Sequence, residues 1–210
     1  MRHLSALKGV VYDFLDVTVP SQSELEIAFH KMSAQKQLRV SSFSKEIDRR
    51  RSICADWLGR TVAASFLSVS AEDITITQLE NGQPSLGPLP CFISLSHSGT
   101  YAMCAVSGRP VGVDIEFPDD RGERVCRRIC TEEELRYIFE NGTYDRVRFA
   151  QIWTAKEAIL KMDGKGLSGG ISTLSVADSD GINTNRKECS LYSGEYNNHI
   201  FTIAESNHLE

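Results

Sequence analysis

Nothing in this chain comes near the roughly 20 consecutive apolar residues that a helix needs to cross a bilayer. Its first residues do not pass from basic to apolar to small as a secretory signal does, so a cytoplasmic protein with no membrane role is expected. Excess positive charge is missing too. The formal net charge is −5, which argues against general binding to nucleic acid and leaves room only for a local basic patch. Six cysteines, Cys54, Cys91, Cys104, Cys126, Cys130 and Cys189, follow no framework spacing and lie mostly in apolar periodic stretches, so reduced, packed thiols are expected. Cys126 and Cys130 would make half a zinc site, but no second Cys/His pair completes it. Ser96 has no Gly-x-Ser-x-Gly elbow, and Gly164-Lys165-Gly166 lacks P-loop spacing. Solenoid-type repeats are absent.

What is present is an ordinary globular composition, 41% hydrophobic and 24% charged, over 210 residues, enough for one large domain or two small fused ones. Residues 10–19 alternate as a strand and stop at Pro20. Ser21 or Ser23 caps a following helix, and a longer helix is predicted over about 45–67, carrying Arg49, Arg50 and Arg51 in its first half. Residues 74–77 read as a short strand before the Asn81-Gly82 turn, and 92–106 as a hairpin bent at Ser98-Gly99. Thr131 and Glu134 form a capping box, and a helix is predicted over about 145–162, ended by Gly164. Strands are predicted at 171–176, 189–192 and 200–204, with a turn at Asp180-Gly181. Helices followed by short antiparallel strands, twice over, give an α+β fold in two halves, 1–108 and 109–210.

Gly112-Val113-Asp114-Ile115-Glu116 reads as a strand with both carboxylates on one side, their α-carbons about 7 Å apart. That pair suits either a solvated strand face or one hard cation, which takes oxygen ligands and leaves room for substrate phosphate. On the predicted helix, Trp153, Glu157 and Lys161 recur at i, i+4 and i+8. Glu157 and Lys161 are then either a surface ion pair or a third oxygen ligand with a phosphate-neutralising ammonium beside it.

Three blocks occur in one order: Ser94-Leu95-Ser96-His97-Ser98, then Gly112-Val113-Asp114-Ile115-Glu116, then Trp153 to Lys161 with Lys156-Glu157 at its centre. Together they resemble the signature blocks of the 4′-phosphopantetheinyl transferases, of the larger, monomeric surfactin-synthetase-activating type. Asn81-Gly82-Gln83-Pro84 and Gly164-Lys165-Gly166-Leu167 are similar to further elements of that family, and the resemblance extends over about residues 30–176. It implies a monomer of two pseudo-twofold-related α+β halves, each with helices on a small antiparallel sheet, and an active site in the cleft between them. It also implies transfer of the phosphopantetheine arm of coenzyme A to a serine of an acyl or peptidyl carrier protein, releasing adenosine 3′,5′-bisphosphate. By position, Asp114, Glu116 and Glu157 would bind Mg²⁺, or Mn²⁺ in its place. Ser96, His97, Gln83, Pro84, Lys36, Arg39, Arg51, Lys156 and Lys161 would hold coenzyme A, and Glu157, Lys161 and His97 would serve catalysis. Gln83 departs from the family, which often has lysine there, so weaker coenzyme A binding or compensation from Arg49 or Arg50 is expected.

The residue types fit that chemistry independently. A cation across a diphosphate draws off the charge that repels an alcohol nucleophile. Lys161 would steady the leaving phosphate, and Glu157 would take the serine proton, directly or through water. Arg121, Arg124, Arg127, Arg128 and Arg136 are the candidates for docking an acidic carrier, set against Glu123, Glu132 and Glu133 on the same stretch. Two other functions stay open on the residues alone: a Mg²⁺-dependent coenzyme A pyrophosphatase, and a coenzyme A-binding module without turnover.

Overall fold

Ser21 accepts the Glu24 N–H while the Glu24 carboxylate accepts the Ser21 N–H at 2.8 Å, and this reciprocal cap starts the first helix where the sequence places it. The computed structural model describes residues 5–7, 9–165, 170–178, 181–184 and 186–208. Gly166 and Leu167 of the fourth family element, and Asp180 of the predicted turn, lie outside the described residues. The chain divides into two compact units, Met1–Pro110 and Val111–Glu210. Among the described residues, no helix is long and apolar enough to cross a membrane.

The first unit runs β1 (Ser5–Leu7), β2 (Val10–Asp16), α1 (Gln22–His30), α2 (Ala34–Ser41), α3 (Glu46–Leu67), β3 (Thr77–Gln78), β4 (Pro84–Ser85), β5 (Phe92–Ser98) and β6 (Tyr101–Ser107). Its main sheet is antiparallel in the order β1–β2–β6–β5. Helix α3 turns Ile53, Cys54, Leu58 and Val62 inward, and they share one core with Cys104 and Val106 of β6. The strand predicted at 74–77 reduces to its last residue. Ile74 and Ile76 are buried in that same core, so the alternation served packing rather than a ladder.

The second unit runs β7 (Val111–Glu116), α4 (Glu123–Ile129), α5 (Glu132–Ile138), α6 (Arg146–Met162), β8 (Ala177–Asp178), β9 (Gly181–Ile182), β10 (Cys189–Tyr196) and β11 (His199–Ser206). Its main sheet is antiparallel in the order β10–β11–β7. Asp145 caps α6 by accepting the N–H groups of Val147 and Arg148 at 2.9 and 3.1 Å. Ile152, Ala155, Ala158 and Ile159 of that helix are fully buried with Cys126, Ile138 and Ala204. The strand predicted over 171–176 does not form, because side chains capture its backbone. The Ile171 carbonyl accepts from Lys156 and the Val176 N–H donates to Glu134. Mixed helices and small antiparallel sheets make the fold α+β.

Candidate active site

Strand β7 alternates as its sequence requires, Val111, Val113 and Ile115 on one face and Gly112, Asp114 and Glu116 on the other. Helix α6 lies directly over Gly112. A Cβ there would sit 1.9 Å from the Ala158 carbonyl oxygen and 2.5 Å from the Met162 nitrogen. The missing side chain is what lets helix and strand backbones meet this closely, and nothing in the strand pattern of residues 112–116 signals it. The same closeness brings Lys161 to Asp114, Nζ to Oδ1 at 2.7 Å, with the Val113 carbonyl accepting at 3.0 Å.

Glu157 stands one turn before Lys161 on α6 and is 8% exposed, while Asp114 is 4% exposed. Among the described residues, the Glu157 Oε1 is buried and has no hydrogen-bond partner. Burial first, then repulsion from Asp114 and, more weakly, Glu116, pushes its carboxyl up to about 7, with Lys161 pulling the other way. The structure therefore brings Asp114, Glu157 and Lys161 together, with Glu116 felt at the end of β7. Among the described residues, no three His, Cys, Asp or Glu side chains are already set around one metal point. The donor set nevertheless fits a hard cation in kind: carboxylate oxygens crowded against each other, one of them orphaned, with an ammonium standing on Asp114. Thr202 faces Asp114 across the β7–β11 ladder, and its hydroxyl hydrogen-bonds Thr154 and Ser193, each at 2.9 Å. Nothing in the spacing marked this buried hydroxyl chain.

Beside Glu116 opens a cavity of about 290 Å³, lined by Phe117, Val125, Arg121, Phe149 and Trp153 among others. Arg124, Arg127 and Arg128 project from α4 into solvent, with Arg127 5.5 Å from the centre of the Phe139 ring, and Arg136 is exposed on α5. Arg121 is tied to Asp119.

Lys156 follows a different course from Lys161. It is wholly buried and pairs with the equally buried Glu134 at 2.7 Å. In the first unit Lys36 is also enclosed, 2.9 Å from Asp56, which holds Arg60 at 3.0 Å from its other oxygen. Arg39 is exposed and donates to Gln78 at 3.4 Å. Arg51 donates to the Gly99 carbonyl at 2.8 Å and pairs with Asp48, so it braces the β5–β6 turn that follows exposed His97 and buried Ser96. Gln83 accepts from the Asn81 side chain at 2.9 Å within its turn, and Pro84 begins β4. Arg50 is committed to the Val17 and Pro20 carbonyls at 3.0 and 2.6 Å. Among the described residues, the Arg49 Nε is buried without a partner.

The family described as "4′-phosphopantetheinyl transferase superfamily" matches residues 110–208, and the family described as "4′-phosphopantetheinyl transferase, N-terminal" matches residues 19–109. The chain is similar to 4′-phosphopantetheinyl transferase Sfp of Bacillus subtilis (strain 168), 28% identical over 74% of this chain and 70% of that protein. A second 4′-phosphopantetheinyl transferase of Bacillus subtilis is 30% identical over 69% of this chain and 66% of its own length. The 4′-phosphopantetheinyl transferase psf-1 of Bacillus pumilus is 29% identical over 69% of this chain and 63% of its own.

Proposed function

The chain belongs to the 4′-phosphopantetheinyl transferase superfamily, and from that premise we propose that it transfers the 4′-phosphopantetheine arm of coenzyme A to a serine of an acyl or peptidyl carrier protein. Adenosine 3′,5′-bisphosphate leaves. The observation that carries the reading is the cluster of buried Glu157 and Asp114 with half-buried Lys161, set by β7 and α6 at the positions of the family's second and third blocks.

Asp114, Glu116 and Glu157 are the residues that would hold Mg²⁺, or Mn²⁺ in its place. When bound, that ion supplies charge neutralisation across the diphosphate. The remaining work falls to side chains of this chain. Lys161, paired with Asp114 at 2.7 Å, would steady phosphate charge beside the carboxylates. Glu157 would take the proton from the attacking serine, directly or through a water. Arg39, Arg51, Gln83, Pro84, Ser96 and His97 are assigned to coenzyme A, with His97 near its 3′-phosphate. Arg124, Arg127 and Arg128 on α4 suit an acidic carrier.

Incubation with coenzyme A, Mg²⁺ and several apo-carriers, followed by intact-protein mass, tests the reading. One phosphopantetheine added to a carrier is the expected result. Coenzyme A consumed with no carrier present would instead mark a pyrophosphatase.

A further inference from the structure

Lys156 and Glu157 are neighbours on α6, so their side chains leave the helix about 100° apart. Glu157 goes to the strand side, where Asp114 lies. Lys156 goes to the helix side, where three acceptors meet its ammonium: Glu134 at 2.7 Å, the Ile129 carbonyl at 2.6 Å and the Ile171 carbonyl at 3.0 Å. An ammonium has three N–H donors, so this one is complete. Glu134 is equally engaged. It accepts the Thr131 N–H at 2.8 Å, which caps α5, and the Val176 N–H at 2.9 Å. Through these two side chains the end of α4, the start of α5, the middle of α6 and the 171–176 stretch are joined at one point.

Apolar side chains of the same volume hold segments together at least as well as a dry ion pair, because both charges must first be stripped of water. What the pair adds is direction. Its donors and acceptors admit one rotation of α6 about its own axis and one position along it. On the strand side Gly112 leaves the helix no slack, with the Ala158 carbonyl already where a Cβ would stand. A turn of α6 in either sense would carry Glu157 and Lys161 away from Asp114.

The geometry points to Lys156 and Glu134 as positioning residues of the reaction: together they fix the rotation of α6, and with it the place of Glu157 and Lys161 against Asp114, without touching coenzyme A. This rests on the reading that Asp114, Glu116 and Glu157 hold the divalent ion. It replaces the phosphate contact that the family blocks suggest for Lys156.

The test compares the parent with Lys156→Met, Glu134→Gln and the paired Glu134→Leu/Lys156→Met, which keeps volume and leaves no lone charge. Mg²⁺ is titrated calorimetrically in the presence of coenzyme A and no carrier. Coenzyme A is titrated separately without Mg²⁺, and transfer is followed by carrier mass. Expected are Mg²⁺ binding weakened about 10–100-fold, a matching fall in kcat, and a rise in the Kd for coenzyme A of at most about threefold, the share of a displaced Lys161. The paired variant should regain its melting temperature and not its Mg²⁺ affinity. A rise of tenfold or more in the coenzyme A Kd of Lys156→Met, with Mg²⁺ binding intact, would overturn the inference in favour of a phosphate contact. Parental Mg²⁺ affinity and kcat in the paired variant would reduce the pair to packing, and that variant decides the matter alone if the single ones do not fold. A parent that binds no Mg²⁺ brings down the metal reading and this inference with it; Mg²⁺ binding by the parent, undiminished in the variants, removes only the inference.

Discussion

The two faces of α6 carry the same kinds of charge and finish them differently. On the helix side Lys156 and Glu134 are one cation and one anion, both wholly buried, with every ammonium proton accepted. On the strand side Lys161 meets Asp114, and Glu157 is left beside them with an oxygen that has no partner among the described residues and a carboxyl pushed up to about 7. A completed buried network rigidifies; an incomplete one carries a desolvation cost and is where shifted groups of functional sites are found. Lys36, Asp56 and Arg60 in the first unit are likewise enclosed and paired with one another. Burial alone therefore does not distinguish the two faces of α6; the completeness of their hydrogen bonding does.

The largest effect should come from breaking the incomplete face. Glu157→Gln is expected to lower turnover by a factor on the order of 10³ or more and still bind coenzyme A in Mg²⁺-free buffer. The same change should make the metal-free protein more stable. Burial and then Asp114 raise the folded carboxyl from 4.5 to about 7, so between those values the native protein holds a proton that the unfolded chain has lost. Stability then falls as pH climbs through that window and is level above it. Glu157→Gln lacks the fall. Melts in chelator should coincide with the parent near the lower limit and run on the order of 2–6 °C higher above the upper one. Parallel melting curves at both ends would mean that Glu157 is not strained as described, and near-normal turnover would remove it from the mechanism.

Gly112→Ala breaks the comparison from the opposite side by pressing on the helix itself. A methyl group 1.9 Å from the Ala158 carbonyl has backbone in its way, with no flexible side chain to yield. A loss of about 3 kcal/mol is expected, measured by urea unfolding. In whatever fraction stays folded, kcat should fall about 100-fold while carrier KM holds. Wild-type stability would show that α6 is free to move off β7.

Much of this was legible beforehand because it depends on periodicity. The caps at Ser21 and Thr131 and the lengths of α3 and α6 follow from local chemistry, and the carboxylates of β7 share a face because strands alternate. The orders of the two main sheets, the closeness at Gly112 and the engagement of Lys156 were not legible, since each depends on partners distant in sequence. Residues 171–176 mislead for the same reason: their apolar alternation promises a ladder, yet Lys156 and Glu134 claim the backbone groups at both ends. Spacing puts Lys156 and Lys161 in one family block and says nothing of which one is enclosed.

The exposed arginines of α4 sharpen the comparison by belonging to neither face. Arg127 and Arg128 stand in solvent, where charge costs little and steers partners. Reversing both to Glu should raise the carrier KM about 10-fold through slower encounter and leave the coenzyme A KM alone, with the carrier effect shrinking as salt is added. Equal rises for both substrates would move carrier docking away from α4.

The smallest effect concerns the first unit, where, among the described residues, the Arg49 Nε is an unfinished donor as the Glu157 Oε1 is an unfinished acceptor. Gln83 stands where a cation would be expected for a phosphate and is held by Asn81 within its turn. Arg50 cannot supply the missing charge without giving up the Val17 and Pro20 carbonyls. Arg49 is thus the group left to compensate, and the two positions form a testable pair. Gln83→Lys should lower the coenzyme A KM about 2–5-fold, the worth of one partly solvated ion pair, and Arg49→Met should raise it. With Lys at 83, the Arg49→Met penalty should shrink, because the new ammonium takes over part of the same phosphate's charge. Strictly additive effects in the double variant would mean that the two residues serve different phosphates, and an unchanged or raised KM for Gln83→Lys would mean that position 83 does not meet a phosphate at all.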